Sequence, residues 1–72
     1  KLRTKLQTGS IDARELRALL KQEGWTLDRV KGSHEFWENG ASTFVLATHS
    51  NDLKPYQIKQ ARAVLLSEES DG

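Results

Sequence analysis

Cysteine is absent from the 72 residues. That excludes disulfides and thiolate metal sites and fits a reducing compartment. Histidine occurs only twice, at His34 and His49, so a closed zinc site lacks ligands. No Asp and Glu residues are spaced as a metal-binding set, which argues against two-metal chemistry. There is no phosphate-cradling P-loop and no dinucleotide fingerprint; no cofactor is expected. No apolar run approaches the roughly 18–20 residues that span a bilayer, and no charged-then-apolar leader pattern opens the chain. The expectation is a soluble, cytoplasmic protein without a membrane partner.

Charge of one sign is also missing. Eleven Lys and Arg face ten Asp and Glu, for a net +1, unlike a strongly basic duplex binder. The distribution is uneven. Glu68, Glu69 and Asp71 crowd the end, so the remainder holds seven acids against eleven bases. Local fields can therefore exceed what the total suggests. A chain of this length forms one domain. It buries only about 60 % of its unfolded surface, so packing or a partner must supply its stability.

What is present reads as α-β-β-β-α. Residues 1–11 read as a flexible, basic lead-in, with Gly9-Ser10 as punctuation. Asp12 and Glu15 have capping-box spacing, and Ile11 with Leu16 makes a hydrophobic staple. Leu16, Leu19 and Leu20 form an inward stripe, and Gly24 can end the helix. The spacing predicts a helix over about 12–23. Three strand-like runs follow: Trp25–Val30, His34–Glu38 and Ser42–Thr48. Lys31-Gly32-Ser33 separates the first two. Asn39-Gly40, a strong hairpin signal, separates the others. Pro55, the single proline, suits the first position of a second helix, with Ile58, Ala61 and Leu65 facing inward. The domain is expected over 12–66, with 67–72 an acidic frayed tail. The fold class is α+β, a three-stranded antiparallel sheet with two helices on one face, like double-stranded-RNA-binding domains.

Histidine is the side chain best placed for proton transfer near neutral pH. His34 follows Gly32-Ser33 directly. Gly32 lets a backbone approach a phosphate closely, Ser33 adds a hydroxyl, and Lys31 and Arg29 can meet phosphate oxygens. The run Arg29-Val30-Lys31-Gly32-Ser33-His34 is therefore a candidate phosphate-facing corner. The plain alternative is a solvated surface histidine. That alternative is stronger for His49, which lies in a polar loop. Trp25, Phe36, Trp37 and Phe44 read as packing residues rather than base-stacking platforms.

The ordered marks Ala13-Arg14-Glu15-Leu16 to Leu20, Gly24-Trp25, Lys31-Gly32-Ser33-His34, Trp37, His49, Asp52-Leu53 and the helix from Pro55 resemble HicA toxins. These are the small messenger-RNA interferases of HicA–HicB toxin–antitoxin pairs. The resemblance covers about residues 12–66. Two positions depart from it. Leu46-Ala47-Thr48 precedes His49 where many relatives have a proline, and Tyr56 stands where glycine is common. The resemblance implies a double-stranded-RNA-binding-like fold and metal-independent endoribonuclease activity on mRNA. It implies one catalytic histidine, His34, with Arg29, Lys31, Gly32 and Ser33 on the RNA side and His49 as a secondary candidate. It also implies a HicB-type antitoxin partner that covers the site. A non-catalytic RNA-binding module, or a protein-interaction module of the same fold, is the alternative.

Overall fold

The computed structural model describes residues 1–66. The expected acidic tail, 67–72, lies outside the described residues. Six elements run in order: α1 (Leu2–Thr8), α2 (Ala13–Gln22), β1 (Thr26–Lys31), β2 (His34–Asn39), β3 (Ser42–Ala47) and α3 (Pro55–Leu65). The α+β class and the α-β-β-β-α order are as expected, with one helix more at the front.

That helix corrects the reading of residues 1–11 as a flexible lead-in. Leu6 is fully buried in the core. Gly9, at φ +80°, terminates α1, and the Ser10 N–H closes on the Lys5 carbonyl, the six-to-one bond of a Schellman cap. Polar contacts fasten the helix on both sides. Arg3 pairs with Glu23 at 3.1 Å, and Lys5 pairs with Glu15. From α3, Arg62 donates to the carbonyl oxygens of Leu6 and Gln7, at 3.0 and 2.9 Å. Orphan carbonyls at a helix end need such donors.

The signals at α2 are realised as spaced. The Asp12 carboxylate accepts the Glu15 N–H at 2.8 Å, and the Glu15 carboxylate accepts the Asp12 N–H at 3.1 Å. Ile11 and Leu16 are both buried. Leu16, Leu19 and Leu20 meet Trp25, Trp37, Phe44 and Leu46 in one cluster, which also takes Ala61 and Leu65 from α3 and Leu66 at its C-cap.

The sheet is antiparallel in the order β1-β2-β3. Trp37 lies opposite Phe44, and Glu35 opposite Leu46, so these four share the covered face. Glu35 is held there by Arg17 at 2.8 Å, and Trp37 Nε1 donates to it at 3.1 Å. A partly buried carboxylate needs such partners. The other face carries Arg29, Lys31, His34, Phe36 and Val45, because Lys31 pairs with His34 and both Arg29 and Val45 pair with Phe36. β1 contains a bulge between Leu27 and Arg29. All its residues are exposed, and Val30, opposite Glu35, is 57 % accessible.

Both hairpins turn on two residues. Gly32-Ser33 links β1 to β2, and Gly40-Ala41 links β2 to β3. Each glycine has φ +62°, while neither following residue has positive φ, which is the type II′ pattern. In the second hairpin Asn39 pairs with Ser42. The Asn-Gly pair therefore straddles the strand end instead of forming the turn's centre. This register sets Trp37 against Phe44, a packed aromatic pair. Centring the turn on Asn39-Gly40 would set Trp37 against Ser42, so the apolar pattern decides.

Candidate functional site

The β1–β2 turn delivers His34 as the first residue of β2, with Lys31 directly across the strand pair. One residue before it, the Ser33 carbonyl accepts the Thr48 N–H at 3.3 Å. That bond extends the β2–β3 pairing by one step and draws the chain after β3 alongside the turn. His49 is the next residue. The second histidine therefore arrives beside the first through strand register, although fifteen positions separate them.

The loop bearing His49 is cross-linked to itself and to α2. The Thr48 hydroxyl lies within hydrogen-bonding distance of the Ser50 and Asp52 carbonyls, at 2.7 and 2.9 Å, and accepts the Ser50 N–H at 3.2 Å. Asn51 reaches the start of α2. Its carbonyl accepts the Ala13 N–H and its side chain the Arg14 N–H, both at 2.8 Å. Asn51 thereby satisfies two of the helix's orphan donors. The Glu15 N–H holds the neighbouring Asp12 carboxyl below its ordinary value, with a smaller contribution from Asn51 in the same direction.

On the far side, α3 is docked by a side chain that acts as a missing strand. Gln57, 2 % accessible, accepts the Ala47 N–H at 2.7 Å and donates to the Val45 carbonyl at 3.3 Å. β3 is an edge strand, and unpaired edge groups must be met somehow. One primary amide here supplies both a donor and an acceptor to them.

These three anchors enclose a cleft of about 620 Å³, within the usual size range of ligand sites. Ser33 and His34 line it from the hairpin end, Thr48, His49 and Asp52 from the loop, and Lys54, Pro55 and Tyr56 from the start of α3. His34 and His49 are both exposed. Among the described residues the side chains of Ser33, His34, His49, Lys54 and Tyr56 make no hydrogen bond or ion pair within the fold. Every buried side-chain nitrogen and oxygen among the described residues is satisfied. Polar groups gathered without internal partners are available to a ligand.

Of the residues singled out in the sequence, Ser33, His34 and His49 come together in this cleft. Lys31 does not line it; it lies across the strand pair from His34. Gly32 makes the turn. Arg29 lies further along the open face, its guanidinium 4.7 Å from the Phe36 ring centre, a cation–π contact. Thr48, Asn51, Lys54, Tyr56 and Gln57 were not anticipated. Gln57 had a signal: it lies on the same four-residue row as the buried Ala61 and Leu65, so a polar side chain there had to find a partner inside. Among the described residues no group of three or more His, Cys, Asp or Glu could hold a metal ion.

Residues 13–65, most of the chain, match the family model described as "HicA toxin of bacterial toxin-antitoxin". The chain belongs to the HicA toxin family. Comparison with curated proteins and with solved structures returned no match. The HicA match begins at the first residue of α2 and ends at the last of α3. It therefore spans the capped helix, the sheet and both walls of the cleft, while α1 lies before it. Among the described residues no helix of this HicA family member is long and apolar enough to cross a membrane.

Proposed function

We propose that the chain is a metal-independent endoribonuclease of the bacterial cytoplasm that cleaves mRNA, with His34 as its catalytic residue and a HicB-type antitoxin as its protein partner. The observation that carries the reading is the convergence in one cleft of the His34, Ser33 and His49 side chains, none of which makes a hydrogen bond among the described residues, with Lys31 paired across the strands from His34.

The chemistry needs few parts. A neutral imidazole takes the proton of a ribose 2′-OH. That oxygen attacks the adjacent phosphorus, and the bond from phosphorus to the 5′-oxygen breaks. The leaving oxygen takes up a proton, leaving a 2′,3′-cyclic phosphate and a 5′-hydroxyl. His34 serves as the base or as the acid in this exchange, and His49 is the candidate for the other role. Lys31 and the Ser33 hydroxyl stand where they could meet the charge that grows on the phosphoryl oxygens. Gly32 keeps the turn free of a side chain. Arg29 offers a further cation along the open face for the RNA backbone.

The test is cleavage of a long mRNA in excess EDTA, resolved on a denaturing gel, by the wild type and by His34→Ala. Cleavage by the wild type, reduced about 10²–10⁴-fold by the substitution, supports the reading. Equal cleavage by both removes His34 from the chemistry. No cleavage by folded, antitoxin-free wild type overturns the enzyme assignment.

The exposed Leu27 and Val30 on β1 favour a second reading, a protein-interaction module. An edge strand with apolar side chains is a template for a partner's strand. Tight binding of an antitoxin without any RNA affinity at low salt would favour that reading.

A further inference from the structure

Tyr56 has no structural duty in the fold. It is 53 % accessible, and its hydroxyl makes no hydrogen bond among the described residues. The core cluster and the half-buried side chains packed on it do not include it. Large aromatic rings are ordinarily buried for their apolar area, so this one is left exposed at a cost. It nevertheless lines the same cleft as His34 and His49.

The chemistry of the cleft changes from one element to the other. The hairpin end supplies Ser33 and His34, which are polar and suited to a phosphate. The chain entering α3 supplies Leu53, Pro55 and Tyr56, which are largely apolar, with the Lys54 ammonium among them. A nucleotide has the same two-part character: a charged phosphodiester joined to a flat, largely apolar base. Pro55 fixes the backbone just before Tyr56, and Gln57 just after it is bonded to β3. The ring is thus carried on a rigid segment.

From this we propose that Tyr56 is a base-stacking platform, and that Lys54 beside it neutralises a neighbouring phosphate. The subsite takes one unpaired nucleobase next to the phosphate that faces His34. The inference rests on the ribonuclease reading for which phosphate is cut, but the stacking itself does not need cleavage. It makes single-stranded RNA the preferred ligand, because a base inside a duplex cannot offer its face to an aromatic side chain.

The experiment measures fluorescence anisotropy of a short, unstructured, fluorescein-labelled oligoribonucleotide. The proteins are His34→Ala and the same chain carrying Tyr56→Ala, Tyr56→Phe or Tyr56→Trp. Circular dichroism checks that each is folded. Removing the ring is expected to weaken binding at least about fivefold, and up to about a hundredfold. Phe and Trp retain affinity within about twofold of Tyr. A duplex of the same sequence shows no dependence on residue 56. An abasic position in the single strand that removes the effect of Tyr56→Ala identifies the stacked base. Unchanged affinity in Tyr56→Ala overturns the proposal. So does an equal loss on duplex, a Phe variant as weak as Ala, or no measurable affinity at low salt. Cleavage assays on the wild type keep the two readings apart. Ring-dependent binding without cleavage sinks only the enzyme assignment, and cleavage with ring-independent binding sinks only the platform.

Discussion

The side-chain oxygen of Gln57 accepts the Ala47 N–H at 2.7 Å, while its nitrogen donates to the Val45 carbonyl and to the Gln60 side-chain oxygen. This amide closes the edge of β3 and fixes the start of α3 beside the chain that leads to His49. Gln57→Leu keeps much of the volume and abandons these bonds, so stability should drop by about 1–3 kcal/mol. Gln57→Glu keeps the acceptor but turns a carboxylate toward two carbonyl-type oxygens, so it should also destabilise at neutral pH. Urea denaturation of the three proteins checks this. A neutral Gln57→Leu would show that the edge is served equally well by water.

Leu6 is fully buried although it belongs to the segment that reads as a lead-in. Leu6→Ala is expected to cost about 2–5 kcal/mol, the range for truncating a core leucine. Arg62→Met, which keeps the stem and removes the guanidinium, should loosen α1 by removing the two bonds that tie its last turn to α3. Hydrogen exchange at α1 amides reads this directly. Unchanged stability in Leu6→Ala would mean that α1 contributes nothing to the core.

Much of this architecture is legible in the residues, and the rest is hidden for physical reasons. The α2 signals at Asp12, Glu15, Ile11 and Gly24 are local, and local chemistry survives folding. The strands were legible because aromatic and β-branched runs containing Phe36-Trp37 and Phe44-Val45-Leu46 are bounded by the turn signals Lys31-Gly32-Ser33 and Asn39-Gly40. α1 was not, because it offers only Leu2 and Leu6 at helical spacing, and its glycine end resembles a linker. The meeting of His34 with His49 depends on register, which pairs Ser33 with Thr48. No local pattern announces it. Asn51 and Gln57 act on groups distant in the chain, so their roles exist only once the fold does.

Acid should weaken the fold through the start of α2. The Lys5 ammonium and the Asp12 N–H hold Glu15 below its ordinary 4.5. The Glu15 N–H holds Asp12 below its ordinary 3.8. A carboxyl lowered by folding stabilises fully above its unfolded value, and that contribution vanishes as the pH falls through the lowered one. Lys5, raised above 10.5 by the same Glu15 contact, loses its share only as the pH climbs through its own folded value. The melting temperature of the wild type should therefore exceed that of Glu15→Gln near neutrality. The gap should narrow as the pH falls below 4.5 toward the lowered Glu15 value, and again above pH 10.5. A gap that is constant with pH would rule out the ion pair as its source.

Gly32 and Gly40 occupy equivalent turns at φ +62°, and a Cβ at either would meet no atom within 4 Å. Alanine at each position should therefore cost about the same, roughly 1–3 kcal/mol of backbone strain. Function should separate them. Gly32 positions Ser33 and His34, whereas Gly40 serves the opposite end of the sheet. RNA cleavage, measured below both melting transitions, should fall in Gly32→Ala and stay near wild type in Gly40→Ala. Equal activity in the two would detach the turn from the site.

Salt dependence tests whether the cations of the open sheet face and the cleft meet phosphates. Arg29, Lys31 and Lys54 are all exposed. If each neutralises one phosphate of a single strand, log affinity should fall against log salt with a slope of about −2, at roughly −0.7 per contact. Affinity would then drop roughly twentyfold between about 50 and 200 mM salt. Lys31→Gln should flatten the slope by about 0.7 without altering preference among sequences, since a phosphate contact carries no sequence information. Arg29→Gln should do so only if its guanidinium turns from Phe36 to the RNA. A slope near zero would mean that the cleft binds no phosphodiester chain, and the protein-partner reading would take over.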